Sequence, residues 1–103
     1  MTGYVFHPQA LLDLDEIWEF IRAENIDAAD RTIAEILNAI EALVPFPSQG
    51  HTRPDLTSSP LRFIVVSEYL IAYAPEEKPL WVVAVLHGRR NPHVLAAILK
   101  DRE

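Results

Sequence analysis

The chain has 103 residues, half of them hydrophobic, with 9 Lys or Arg against 15 Asp or Glu and no cysteine. This length suits one domain, spanning 1–103, that buries its own core. The lack of cysteine excludes disulfides, thiolate catalysis and thiolate metal ligands, and fits a reducing cytoplasm. No apolar run reaches the ~20 residues of a membrane-spanning helix. The net charge of −6 disfavours a general nucleic-acid binder.

The first half of the chain predicts a short strand followed by two helices. Tyr4–Phe6 is β-prone, and Pro8 suits the first turn of a helix. Apolar residues then recur at the helical period and lie on a single face of a first helix: Leu11, Leu14, Ile17, Trp18 and Ile21. The acidic residues of this helix are expected on its other faces: Asp13, Asp15, Glu16 and Glu19. Asn25 is a candidate cap for a second helix, which runs through Leu43 and which Pro45 must end.

The second half predicts a loop, three strands and a last helix. Ser48–Pro60 is rich in loop-forming residues. The β-prone runs that follow are Leu61–Val66, Tyr69–Ala74 and Leu80–His87, and Asn91-Pro92 opens the final helix. The order β-α-α-β-β-β-α indicates an α+β fold. We expect its helix hairpin to pack on one face of a mainly antiparallel sheet.

The predicted strands do not alternate apolar and polar residues. Ile64–Val66, Leu70–Ala72 and Leu80–Leu86 are continuous apolar runs, so both faces of the sheet should be covered. The helix hairpin covers one face. Either the last helix covers the second, or an apolar surface remains there for a partner to bury. The pattern leaves both open.

The densest polar cluster is His87-Gly88-Arg89-Arg90-Asn91-Pro92, at the end of the last strand. Gly88 permits a tight or positive-φ turn. Two guanidinium groups beside a helix start suit a phosphate or an acidic partner. The alternative is that Arg89 and Arg90 pair with the acidic helices and His87 only caps the sheet.

Arg62 and the histidines raise the remaining questions about chemistry. Arg62, between Leu61 and Phe63, either pairs with a helix carboxylate or projects from an open sheet face. The four histidines lack ligand-like spacing, so we expect no metal site. Nothing else in the sequence indicates a cofactor.

Four stretches together resemble the RelE/ParE superfamily of bacterial toxins, and within it the ParE branch. They are Ala10-Leu11-Leu12-Asp13-Leu14-Asp15-Glu16-Ile17, Ala28-Ala29-Asp30-Arg31, Leu61-Arg62, and Tyr73 followed by Val85-Leu86-His87-Gly88-Arg89-Arg90. Their order and spacing span most of the chain.

The resemblance implies a cytoplasmic toxin of a type II toxin–antitoxin system that inhibits DNA gyrase by protein–protein contact, without catalytic residues. It also implies a cognate ribbon-helix-helix, ParD-like antitoxin that forms a hetero-oligomer with the toxin and alone contacts DNA. We assign target binding to the cationic cluster Arg89, Arg90 and His87. We assign antitoxin binding to the sheet residues Arg62, Ile64, Tyr73 and Trp81.

Two alternatives follow from the same superfamily. A RelE-like toxin would cut ribosome-bound mRNA, with Arg62 and His87 near the reaction, and such a reaction needs a base, an acid and cationic stabilisation. The acidic net charge and the lack of tyrosine in the last helix favour the ParE branch instead. A third reading is a degenerate member that binds antitoxin and harms nothing.

Overall fold

A computed structural model of the chain describes residues 3–102, so the ends of the expected domain, Met1, Thr2 and Glu103, lie outside the described residues. The elements in chain order are β1 (Tyr4–Phe6), α1 (Pro8–Arg22), α2 (Ile26–Leu43), a 3-10 turn (Pro47–Gln49), β2 (Arg62–Val66), β3 (Tyr69–Ala74), β4 (Leu80–His87) and α3 (Pro92–Arg102). The predicted order β-α-α-β-β-β-α is confirmed. None of the helices within 3–102 is long and apolar enough to span a bilayer.

Side-chain caps begin the two long helices where the sequence indicates. The His7 Nδ1 atom accepts a hydrogen bond from the amide of Gln9, and Pro8 occupies the first turn of α1. The Asn25 side chain accepts from the amide of Ala28, 3.0 Å away, and starts α2. Each cap satisfies one of the free amides at a helix N-terminus.

The sheet has the order β1-β4-β3-β2 and is mainly antiparallel, as expected. β1 pairs in parallel with the first three residues of β4, while β3 pairs antiparallel with both β2 and β4. Ala72 lies opposite Ala84 and Tyr73 opposite Val82, so Val83 is an extra residue that forms a bulge in β4. The turn between β2 and β3 places Ser67 at φ 56°. Gly88 lies in a tight turn, closed by the bond from the Arg90 amide to the His87 carbonyl, and its φ is not positive.

Within residues 3–102, the chain covers most of both faces of the sheet, although Val65, on the same face as Phe63, stays 72% exposed. The helix hairpin covers one face, where Ala10, Leu14, Ile36 and Ile40 pack on Ile71, Val82 and Val85. On the other face, Leu95 and Leu99 of α3 pack together with Leu56 and Leu61, which lie in the loop before β2. These four residues cover the side chains of Phe63, Leu70, Val83, Ala84 and Leu86. The alternative of an apolar sheet face left for a partner is therefore wrong, because the loop supplies Leu56 to complete the cover that α3 begins.

Candidate functional site

A groove runs between α1, the outer edge of β4 and α3, with a volume of about 630 Å³. Leu12, Ile17 and Phe20 of α1 form one apolar wall, and Ile98 of α3 contributes to the opposite side. In this wall, the side chain of Phe20 is 81% exposed and that of Leu12 is 52% exposed. The groove therefore presents apolar area to solvent beside the edge of a strand.

This edge of β4 is open because β1 is short. β1 ends at Phe6, and the last bond between the two segments runs from the His7 amide to the Val82 carbonyl, 2.8 Å away. Beyond Val82, no strand among residues 3–102 pairs with the backbone groups of β4 on this side. Unpaired backbone groups at a strand edge are a template for pairing with another chain.

A buried ion pair occupies the first open position along this edge. Arg102 donates two hydrogen bonds to the Asp13 carboxylate, at 2.6 and 2.9 Å, and a third to the carbonyl of Val83 at 3.1 Å. Asp13 in turn accepts from the amide of Val85 at 3.0 Å. Both side chains are 9% exposed. In a parallel ladder, one residue of the neighbouring strand would donate to the Val83 carbonyl and accept from the Val85 amide. The ion pair makes these same two bonds and so takes the place of one residue of a longer β1.

Asp13 and Arg102 were not among the residues that the sequence singles out. Asp13 was expected on a solvent face of α1, and the structure corrects this, because the residue is 8% exposed. Its position three residues after Ala10 and four before Ile17 places it on the buried stripe, and this spacing was the available signal. The partner could not be identified from sequence, since Arg102 lies 89 positions away.

The next backbone groups along the edge, the Val85 carbonyl and the His87 amide, also point away from β3. The Gly88 amide donates to the Glu68 carbonyl, so residues of β4 at odd positions from Val85 to His87 direct their backbone groups outward. The Val85 amide is bonded to Asp13, and the His87 carbonyl accepts from the Arg90 amide at 3.2 Å. Within residues 3–102, one carbonyl and one amide thus remain on the groove side of the edge.

The structure brings the three predicted target-binding residues together at the end of β4. The Nδ1 atom of His87 accepts from the Arg89 amide at 3.2 Å, and its ring packs edge-on against Tyr69, with centroids 5.6 Å apart. Arg89 lies 3.4 Å from the Glu68 carboxylate while its side chain stays 80% exposed. Burial, with a smaller contribution from the charge of Glu68, raises the pKa of Tyr69.

Arg89 and Arg90 were expected either to bind a partner or to pair with the acidic helices, and the charged groups around them distinguish these two possibilities. The carboxylate beside Arg89 belongs to Glu68 in the β2–β3 turn, and not to an acidic helix. Arg90 is exposed, lines the groove, and has no ion pair among the residues the structure describes. The cluster is therefore a solvent-facing cationic rim of the groove.

Arg62 follows neither of the alternatives considered for it. Its Nη1 atom donates to the carbonyl of Gly50 at 2.7 Å, so the half-buried side chain ties β2 to the preceding loop. Tyr73 is fully buried: its hydroxyl donates to the Pro47 carbonyl at 2.6 Å and accepts from the Gly50 amide at 2.9 Å. Burial raises the pKa of the Tyr73 phenol.

The four residues assigned to antitoxin binding do not form one surface. Ile64 packs on the helix-hairpin side together with Tyr73, whereas Trp81 packs against the core on the α3 side and edge-on to His7. Tyr73 has no exposed area with which to contact a partner. Arg62, Ile64 and Trp81 keep partial exposure and stay candidates. Arg62 and Ile64, two positions apart in β2, share one face of the sheet, and Trp81 lies on the other.

The register of the sheet also separates Arg62 from His87. Arg62 lies opposite Tyr73, and His87 lies opposite Tyr69. The four-residue interval along β3 corresponds to about 13 Å, and the two residues are also on different strands. The structure therefore does not assemble the pair that mRNA cleavage would use. No group of three or more potential metal-ligating side chains lies together within the described range.

The chain is similar in sequence to a known family of proteins and to one of its relatives. Residues 4–92 match the family described as the ParE toxin of the type II toxin–antitoxin system parDE. The chain is 33% identical over 89 residues to "Putative toxin Y4kP" of Sinorhizobium fredii (strain NBRC 101917 / NGR234), covering 84% of this chain and 90% of that protein.

A solved structure of the chromosomal ParDE toxin–antitoxin system from P. aeruginosa shares the fold. The two superpose with a TM-score of 0.67 and 18% sequence identity, over 84% of this chain and 96% of that chain. The family match spans most of the sequence, and the resemblance seen in the sequence is confirmed. The chain belongs to the ParE toxin family of type II toxin–antitoxin systems.

Proposed function

We propose that this toxin inhibits DNA gyrase by protein–protein contact in the cytoplasm and that a cognate ParD-like antitoxin neutralises it in a hetero-oligomer. The observation that carries the proposal is the exposed rim formed by the guanidinium groups of Arg89 and Arg90 beside His87, with Arg90 free of ion pairs within the described residues. Exposed guanidinium groups in the turn that follows β4 suit an acidic protein surface, because they bind carboxylates in a bidentate way.

The position of Arg62 favours inhibition by protein–protein contact over cleavage of mRNA. A cleavage site needs a base, an acid and a cation around one phosphate. Arg62 is bonded to the Gly50 carbonyl and lies near the opposite end of the sheet from His87. The net charge of −6 also disfavours docking among ribosomal RNA.

The proposal is tested by induction in cells with a double variant and a matched control. Arg89→Ala/Arg90→Ala removes the rim cations, whereas Arg22→Ala/Arg31→Ala removes two exposed cations of the helix hairpin and the same net charge. We expect wild type and control to cause DNA damage and filamentation while translation continues, and the rim variant to be harmless. A rim variant that folds and stays fully toxic would refute the assignment of these residues.

A further inference from the structure

We propose that the cleft between α1 and α2 is a second target-binding surface of the toxin and receives an arginine side chain from a basic segment of gyrase. This inference rests on the proposed function, because gyrase is the partner. It adds a contact site whose charge is opposite to that of the rim, and it specifies the side chain that fills the site.

The cleft has a volume of about 430 Å³ and is lined by residues of the helix hairpin. The lining residues are Leu11, Leu14, Asp15, Trp18 and Ile33. Leu14 is 9% exposed and forms the floor, whereas Leu11 is 50% exposed at the mouth. Ligand sites in proteins commonly have volumes of ~300–1,000 Å³. The cleft is therefore an apolar recess that can take one long side chain of a partner.

Trp18 is a fixed wall of this cleft. Its Nε1 atom donates to the Asp30 carboxylate of α2 at 2.8 Å and so links the two helices. Arg22 lies over the same ring, with its guanidinium carbon 5.4 Å from the ring centroid, and its charge is offset by the Glu19 carboxylate 3.0 Å away. A wall that is held before the partner arrives loses little conformational entropy on binding.

The charge at the cleft selects a cation. Asp15 is exposed, is the one charged residue in the lining, and has no ion pair among residues 3–102. Residues 1–49 carry nine Asp or Glu against two Arg, a net charge of −7. An arginine can bind the Asp15 carboxylate through its guanidinium group while its aliphatic stem packs on Leu11 and Ile33. Arginine therefore matches both the carboxylate and the apolar walls.

α1 places the cleft next to the groove that the cationic rim borders. The cleft residues Leu11 and Asp15 are each followed by a groove residue, Leu12 and Glu16, about 100° further around the helix. One protein surface can therefore contact both sites, with a basic patch at Asp15 and an acidic patch at the rim. This opposite charge pattern fixes the orientation of the complex. A second copy of the chain is a poor occupant, because two molecules of charge −6 repel each other.

Binding of full-length toxin variants to purified gyrase tests the cleft. Asp15→Lys reverses its charge, and Glu35→Lys makes the same net change at an exposed site of α2 that lines neither cavity. Leu11→Gln makes the mouth polar, and Ile26→Gln is its control, since the two side chains are 50% and 55% exposed. We expect Asp15→Lys and Leu11→Gln to raise the Kd about tenfold or more, and both controls to change it less than about twofold. All four side chains are exposed, so each variant should fold, which its thermal melting curve verifies.

Oxidative footprinting of the unaltered chain reports occupancy of the cleft directly. Trp18 and Trp81 are both half-buried, but Trp18 lines the cleft while Trp81 packs on the α3 side of the sheet. With gyrase bound, oxidation of Trp18 should fall at least about threefold, because a filled contact site excludes water. Oxidation of Trp81 should be unchanged.

Three results would overturn the inference, and they differ in what else they refute. If the cleft variants bind gyrase as wild type does and Trp18 stays unprotected, the cleft is refuted while gyrase remains the target. If the cleft variants keep gyrase binding but no longer co-purify with the protein encoded by the adjacent reading frame, the cleft belongs to that partner instead. A wild-type toxin that does not bind gyrase refutes the target in the proposed function and this inference with it.

Discussion

Asp13 on α1 and Arg102 at the end of α3 lie 89 positions apart in the chain and form a two-point ion pair whose side chains are 9% exposed. The pair joins the first helix, the last helix and the edge of β4, because it also bonds the Val83 carbonyl and the Val85 amide. It therefore holds α3 over the second sheet face.

Removing one partner of this pair should destabilise the fold strongly. Asp13→Ala or Arg102→Ala leaves a buried charge without its counter-ion, and we expect each to lower the free energy of unfolding by about 3–5 kcal/mol. The double variant should cost less than the sum of the single ones, since neither charge is then left alone.

Chemical denaturation measures these costs, and the exposed Arg22–Glu19 pair provides the control. Arg22→Ala breaks a pair whose side chains are 48% and 60% exposed and should cost less than about 1 kcal/mol. Equal costs for Arg22→Ala and Arg102→Ala would show that burial of the Asp13 pair does not matter.

Gly50 should not tolerate a side chain. A Cβ atom there would lie 2.5 Å from the Tyr73 hydroxyl and 2.9 Å from the Phe63 carbonyl, both of which are held in place. We expect Gly50→Ala to cost about 2 kcal/mol or more, as overpacking does. At Gly88 the nearest atom would be 3.3 Å away, so Gly88→Ala is the control with a smaller loss of thermal stability. Equal melting temperatures for the two variants would contradict this expectation.

Alkaline pH should weaken the fold through its buried tyrosines. Burial raises the pKa values of Tyr73 and Tyr69, so folding favours the protonated phenols. The stabilisation is complete below the unfolded pKa of about 10 and is lost as the pH rises through the folded values. Unfolding free energies measured from pH 8 to 11 should be flat at first and then fall. In Tyr73→Phe the fall should be shallower, and an unchanged slope would assign the effect to other groups.

Arg62 should affect stability and leave toxicity intact. Its guanidinium bonds the Gly50 carbonyl, and Arg62→Met keeps the apolar stem but loses that bond. We expect a loss of about 1–3 kcal/mol, typical of a hydrogen bond from a charged group, and unchanged growth inhibition at equal protein level. Abolished toxicity in a folded Arg62→Met variant would favour the mRNA-cleavage alternative.

The periodic elements of this fold could be predicted, since local physics decides them. Helical spacing from Leu11 to Ile21 and the cap at Asn25 set α1 and α2, and Pro45 sets the end of α2. The predicted bounds of β3 and β4 agree with the structure, because a turn or proline flanks each run.

The long-range contacts could not be predicted in the same way. The cover of the second sheet face by Leu56 depends on a loop path that composition does not encode. The bond from Arg62 to Gly50 and the burial of Tyr73 depend on that same loop. The clustering of His87, Arg89 and Arg90 was predictable because the three residues are near neighbours in sequence.

The most direct test of inhibition by protein–protein contact incubates the purified toxin with purified DNA gyrase. In parallel, the toxin is incubated with ribosomes that are translating an mRNA. We predict that the toxin blocks supercoiling of plasmid DNA, that Arg89→Ala/Arg90→Ala does not, and that the mRNA stays intact. Cleaved ribosome-bound mRNA together with unimpaired supercoiling would contradict the account.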